Sequence, residues 1–568
     1  MRRRLLIGLL LLACLWPAAR AAAAGADNPA DEPPFGGELP PPLIRPPSLD
    51  RPPPGFRLSA REAIRIARAN EVIEAERAED GPLSAVALER GERWQVEFFT
   101  GSGASRQEVA FAIVDDATGA VDEAWRNQQV STPLARGYAG AIAQHVNAPY
   151  VWLPLCALFL APFADPRRPF RLLHLDLVAL LALSASLYFF NRADILASVP
   201  LTYPVLAYVF VRGLAYGLAP RDRAGPLVPL VPLRWLAVAA VILAAGRVAL
   251  NVADSHVIDV GVAGVVGADR IEHGEPLYEG GFAPGVGIRG DVYGPADYLA
   301  YVPFEAILPW HGTWGSVPAA HAAAIAFDLA TALGLLALGR RLRAGREGRA
   351  LGVALAYAWL AYPFTLYTMN ANANDSLVAA LTVWALVAIG SAPLRGALVA
   401  LAAAAKFGSA ALAPLLAAGT GERRWRSALA FTVAFAAVAV AVVWPFVPDG
   451  GLREMYDRTL GYQASRGSPF SVWGLAPSLH FLQPLARGAA VALALALALW
   501  PRRRTLAQIA ALVAAVTVAV QAGATHWFYF YVVWFLPPFL AAAFASGTAT
   551  APPGRPLPDR RPQLAELR

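Results

Sequence analysis

From residue 147 to residue 545 the chain alternates between long apolar runs and polar connectors. The runs are about 17–25 residues long, which suits the roughly 30 Å hydrocarbon core of a bilayer. The pattern predicts about eleven transmembrane helices, over 147–163, 173–190, 196–218, 232–250, 317–339, 350–368, 376–391, 427–446, 484–500, 504–522 and 527–545. A β-barrel would show short alternating strands instead. Four connectors, ADPRRPFR, APRDRAG, GRRLRAGREGR and PRRRT, carry clustered arginines and mark the cytoplasmic side. The long polar segment 251–316, the turn NANAND and residues 447–480 then fall on the opposite, outer side. One apolar stretch breaks the alternation. Residues 395–417 lie between Arg395 and ERRWR, and a single crossing would leave one basic flank outside. A broken re-entrant pair of short helices, with both ends cytoplasmic, satisfies the charge rule. Residues 294–310 are short, polar and interrupted by proline, and are expected to lie at the outer interface.

The first 146 residues follow other periods. Residues 1–24 have a basic start, an apolar run and small residues including Ala19-Arg20-Ala21, the pattern of a signal peptide, or of an anchor if uncleaved. Residues 25–55 read as a Pro-rich linker. Over 56–131, RLSAREAIRIARAN has helical spacing behind a Ser59 cap, and RWQVEFFTG and EVAFAIVDD alternate like half-buried strands, with a turn at DDATGAV. This is a small exported α+β domain. Its helix, followed by WQV and EVAFAIVDDATGAVDEAW, resembles a PepSY domain. That likeness implies binding of an envelope partner, and a plain spacer is the alternative.

Composition narrows the class. The chain has 568 residues, of which 57% are hydrophobic and 16% charged. The net charge of +7 resides in short connectors, so it reads as a topology signal rather than a nucleic-acid surface. Cys14 and Cys156 both sit in hydrophobic segments and make no disulfide framework. Lys406 is the single lysine, and it stands inside an apolar segment. An ionisable group there is either functional or snorkels to the membrane edge.

Candidate chemistry gathers on the outer face. Asp254 and Asp259 follow the 232–250 span closely, and a carboxylate at headgroup level can act as general base on a sugar hydroxyl. Asp259 is the first choice and Asp254 the second. Tyr278, Tyr293 and Tyr298 either stack on sugars or anchor the loop in headgroups. Asn372, Asn374 and Asp375 offer amides and a carboxylate, although Asp375 also suits a helix cap. Arg458 and Arg466 lie on the side where topology does not ask for arginine, so each suits a phosphate or a loop-ordering ion pair. Trp473 and His526 add aromatic groups to the same face, and Asp328 and His321 supply either packing polarity or cavity lining. No nucleotide-binding fingerprint and no metal-ligand spacing is evident.

The order of these elements resembles the GT-C superfamily of membrane glycosyltransferases, and within it glycosyltransferase family 87, the polyprenyl-phosphate-mannose-dependent mannosyltransferases. The resemblance runs over about 230–545. Asp259 in IDVGVAGVVGADRIEHGEPLY matches the family's outer-loop acid, with GEPLY at 274–278 as its Gly-x-Pro-x-Tyr-like element. VYGPADYLAYVPF matches a Tyr-Pro-Pro-like segment, with Gly294 in place of the first proline, and SVWG at 471–474 has a counterpart. The resemblance implies a catalytic core over 232–545, preceded by three additional helices over 147–218 and followed by a cytoplasmic tail over 546–568. It implies a bacterial plasma-membrane enzyme that moves mannose from a polyprenyl-phosphate carrier to an outer glycolipid or glycan, with inversion. No cofactor or metal is expected. A transporter or flippase of a lipid-linked sugar is the alternative, though no repeated halves or paired interrupted helices appear.

Overall fold

The computed structural model describes residues 43–100, 107–126, 144–191, 195–218, 231–278, 290–311, 317–421, 424–465, 468 and 470–545. The expected signal peptide, the C-terminal tail, Arg466 and most of the Pro-rich linker lie outside the described residues.

Residues 43–126 form two helices against a five-stranded antiparallel sheet in the order β1-β2-β3-β4-β5. The strands are β1 (Leu43–Ile44), β2 (Ser84–Arg90), β3 (Arg93–Thr100), β4 (Gln107–Asp115) and β5 (Val121–Arg126), and the helices are α1 (Ala60–Arg68) and α2 (Glu71–Asp80). Ser59 starts α1 through a capping box: its hydroxyl accepts from Glu62 N, and Glu62 accepts from Ser59 N. Ala60, Ala63 and Ala67 line one face of α1 and pack on Trp94, Val96 and Phe98 of β3. Asp116 fastens the entry to α1, accepting from Leu58 N at 2.9 Å and from the Trp94 indole at 3.0 Å. The linker expected over 25–55 does not stay separate, because Leu43–Ile44 adds a strand to the sheet edge.

The rest is helical: α3 (Pro149–Leu160), α4 (Leu172–Phe190), α5 (Ile195–Leu218), α6 (Leu233–Ala253), α7 (Asp259–His273), α8 (Pro295–Leu299), α9 (Pro318–Leu342), α10 (Gly345–Ala361), α11 (Pro363–Asn370), α12 (Asp375–Val387), α13 (Ala392–Ala405), α14 (Ala413–Ala418), α15 (Arg424–Val443), α16 (Gln483–Leu499), α17 (Leu506–Ala522) and α18 (Val532–Ala545). Among the described residues six helices are long and apolar enough to cross a membrane, or seven if α10 and α11, bent by 60°, count as one. The remaining expected spans are shorter apolar helices. Two of them, α17 and α18, are buried along nearly their whole length. A helix encased by its neighbours is not held to the thickness of the lipid.

Residues 392–418 reverse direction. The segment rises as α13, breaks at Lys406 into a 3-10 stretch (Phe407–Leu412), and continues as α14. Arg395, in the first turn of α13, donates to Leu416 O at 2.6 Å in the last turn of α14, to Ile389 O, and to Ser427 Oγ at 3.1 Å on α15. Entry and exit therefore lie side by side, with Lys406 at the far tip. This is the geometry expected of a re-entrant pair.

Polar clasps replace water inside the bundle, where an unpaired charge would be costly. Arg247 of α6 donates to Asp328 of α9 at 2.6 Å, to Leu360 O and to Thr365 Oγ1, while the Trp359 indole donates to the same Asp328 oxygen. In the first helices, Asp176 receives Arg212 at 2.6 Å and the Tyr208 hydroxyl at 2.7 Å. Asp328 thus supplies packing polarity, the first of the two roles considered for it.

Candidate active site

The site is built around the turn 370–374, which joins α11 to α12. Asn372 sits at φ +52, a left-handed conformation that asparagine tolerates better than most residues. Its amide donates to Ser255 Oγ at 3.1 Å and His256 O at 2.9 Å, and its oxygen accepts from Asn251 at 2.9 Å. Asn370 donates to Asp254 O at 2.8 Å. His321 joins the same network through Ser255 Oγ at 3.0 Å and Asn251 Oδ1 at 3.2 Å. Asn372 therefore ties the turn to the start of the long loop, and its side chain has no free polar atom for a sugar.

Asp259 is the first residue of α7 and is exposed. Among the described residues its carboxylate has one hydrogen bond, accepting from Val260 N at 2.9 Å at its own helix start. The backbone brings it to the turn: Ile258 N donates to Ala371 O, and a Cβ on Gly261 would come within 2.5 Å of Asn372 O. Asp254 is differently placed, since its carboxylate pairs with His145. His256 lies beside them, and burial holds its ring below the ordinary histidine value, with Asp254 opposing and His145 reinforcing.

On the other side of the turn lies a buried polar group. Asn374 donates to Asp297 Oδ2 at 2.8 Å, Lys406 Nζ stands 3.4 Å from Asp375 Oδ1, and the Trp534 indole donates to that oxygen at 2.9 Å. The Tyr293 ring centroid is 4.8 Å from the ammonium and that of Tyr531 is 6.0 Å. Such rings favour a cation electrostatically. One long contact leaves an ammonium with capacity for an anion, because it has three donors. Lys406 is buried among these groups rather than extended to the protein surface. Asp375, expected as a possible cap, stands at the first position of α12 and directs its carboxylate to Lys406 and Trp534.

Gly294 explains how these groups meet. A Cβ at this position would lie 1.9 Å from Ala404 O. The Gly294 amide also donates to Ala405 O at 3.4 Å. A proline there would remove the donor and collide with the carbonyl. The departure from the Tyr-Pro-Pro-like pattern thus lets Tyr293 and Asp297 lie directly against the re-entrant tip.

Several expected contacts prove structural. Tyr278 and Tyr298 are buried, with hydroxyls donated to Tyr293 O and Gly290 O at 2.7 Å each. Burial raises both phenols well above their ordinary value. Tyr298 and Tyr301 seat over Gly267 and Gly264 of α7, where any Cβ would meet a ring within 3 Å. These tyrosines form a floor beneath the loop and do not present an open stacking face. Arg458 is held by Asp291 at 2.9 Å and Glu454 at 2.8 Å, which is the loop-ordering pair. The Trp473 indole donates to Ala522 O at 2.9 Å. His526 hydrogen-bonds with Ser468 at 2.8 Å amid the rings of Phe470, Phe528 and Tyr531.

Sequence reasoning missed Asp297, Tyr531 and Trp534 as parts of this group. Asp297 is hidden among many acids of one polar loop, and the two aromatics are hidden in an aromatic run. Only their convergence on Lys406 marks them. Among the described residues no cluster of three or more His, Cys, Asp or Glu could hold a metal ion.

Residues 292–548 match the family model of glycosyltransferase family 87. The matched stretch contains Asp297, Asn374, Asp375, Lys406 and His526, and it begins after Asp254 and Asp259. No curated protein and no solved structure matches the chain. The apolar helices, the buried polar group and the match agree: residues 292–548 are similar to glycosyltransferase family 87, which supports a hexosyltransferase within a membrane protein.

Proposed function

We propose that the enzyme moves a sugar, mannose in the first instance, from a polyprenyl-phosphate carrier to an extracytoplasmic glycolipid or envelope glycan. One observation carries the reading. The turn 370–374 has an exposed carboxylate, Asp259, packed at one side and a buried lysine with spare donor capacity, Lys406, at the other. The first suits an acceptor arriving from water, and the second suits the anionic phosphate of a lipid arriving from the bilayer.

In this mechanism Asp259 accepts the proton of an acceptor hydroxyl. The hydroxyl oxygen attacks the anomeric carbon as the bond from that carbon to the phosphate oxygen breaks. The carrier leaves as polyprenyl phosphate, the anomeric centre inverts, and Asp259 returns its proton to water. Lys406 stabilises charge on the departing phosphate. Residues 43–126 have no part in the chemistry and serve as a docking unit for an envelope partner.

The test is transfer of radiolabelled mannose from polyprenyl-phosphate-mannose in membranes, comparing wild type with Asp259→Asn. Product from wild type and none from an equally expressed variant is the expected result. Transfer by both would dismiss Asp259 as the base. Labelled lipid crossing the membrane without a glycosidic product would favour the flippase alternative.

A further inference from the structure

Asp297 is fully buried, and only one of its oxygens is used. Oδ2 accepts from the Asn374 amide, while Oδ1 has no partner among the described residues. Asn374 Oδ1, on the same amide, has none either. Both members of one bonded pair thus keep an acceptor without a donor. A carboxylic acid and a primary amide are complementary across two parallel hydrogen bonds, whereas a carboxylate and an amide form only one. A proton on Asp297 Oδ1 is the donor that this pair lacks.

The charges nearby point the same way. Asp297 faces Asn374 and Asp375 at the start of α12, Lys406 at the tip of α13, and the phenols of Tyr278, Tyr298 and Tyr301. Asp291 is engaged by Arg458. Two carboxyl groups therefore share the one ammonium of Lys406. Burial pushes the Asp297 carboxyl up to about 7, with Lys406 and Asn374 opposing and Asp375 reinforcing.

We propose that Asp297 holds a proton in the donor site, and that a phosphodiester bound at Lys406 fixes that proton in place, so that donor binding takes up a proton. The coupling rests on the reading above, in which Lys406 receives the carrier phosphate. The diester brings one negative charge beside Asp375, so an ionised Asp297 would be a third anion facing the one ammonium. A like charge disfavours a second carboxylate, so ligation raises the Asp297 pKa. The bound enzyme then carries more protons than the free enzyme. Affinity is greatest below the free-state pKa, falls as pH rises through it, and levels off above the bound-state value. An upward shift of one unit corresponds to about a tenfold change in affinity across that window.

The experiment uses the full-length enzyme in lipid nanodiscs, with polyprenyl methyl phosphate, a diester that does not titrate near neutrality, as the probe. Infrared difference spectra across a pH titration should show a protonated-carboxyl band lost near neutral pH in wild type and missing in Asp297→Asn. Calorimetry in buffers of different ionisation enthalpy should show proton uptake on binding to wild type. It should also show a pH-independent affinity without uptake for Asp297→Asn. No such band in wild type overturns the proton on Asp297 whatever the ligand does. A band together with binding that takes up no proton overturns the coupling. Undiminished binding to Lys406→Met would instead refute the placement of the phosphate, leaving the band to decide Asp297 alone.

Discussion

The ion pair between Lys406 and Asp375 has two roles that mutation can separate. Both groups are buried, and removing one leaves the other uncompensated in a medium that solvates charge poorly. Lys406→Met alone should therefore destabilise the fold by about 3–5 kcal/mol. The double variant Lys406→Met/Asp375→Asn removes both charges and should recover most of that loss. Thermal unfolding in detergent checks the recovery, and transfer activity should stay absent in both variants. A double variant that regained transfer would show Lys406 to be structural only. Asp259 contrasts with this pair, being exposed and without an ion pair among the described residues, so Asp259→Asn should leave the melting temperature unchanged.

Among the elements, the re-entrant pair matters most, because it carries a lysine from one end of the bundle into its interior. Arg395 closes the base of the pair, and α8 lies against its tip through Gly294. Gly294→Ala would push a methyl group into Ala404 O and drive Tyr293 and Asp297 away from Lys406. Transfer should drop by at least tenfold while the protein still extracts as a folded species. Retained activity would mean that α8 does not position the site. Along α7 the small residues have a related use: Gly264 and Gly267 admit the rings of Tyr301 and Tyr298, which lets the buried Val-, Ala- and Gly-rich middle of the helix pack closely on aromatic bulk.

At the scale of the molecule, the Arg247–Asp328 clasp joins α6 and α9 to the bent pair α10–α11 that leads into the turn 370–374. Replacing Arg247 by leucine leaves Asp328 buried with only the Trp359 indole and should cost about 3–5 kcal/mol. A shifted unfolding midpoint measured with the donor absent is the check, since this clasp is not part of the polar group at Lys406. The α+β unit has its own core. Removing residues 43–126 should leave transfer to a soluble acceptor analogue intact, whereas loss of that transfer would tie the unit to catalysis.

Features that depend on local period and charge are legible in one dimension. Apolar run length marked the membrane class, Ser59 with Glu62 announced the first helix, alternation in RWQVEFFTG and EVAFAIVDD announced the paired strands, and basic flanks at 395–417 favoured a reversal over a single crossing. The sequence also singled out Lys406, because a lone lysine in an apolar run is conspicuous. Tertiary structure decided which polar residues meet. Asn372, Arg458, Tyr278 and Tyr298 have suitable chemistry for a substrate but are occupied by the protein itself. Asp297 meets Asn374 and Trp534 meets Asp375, across 77 and 159 residues of chain, only because the tip at Lys406, a turn with glycine at 294 and the buried α18 converge. Periodicity reports which face of an element is apolar. Pairing between elements depends on packing distances and on the need to satisfy each buried polar atom, and neither is written in the local order of residues.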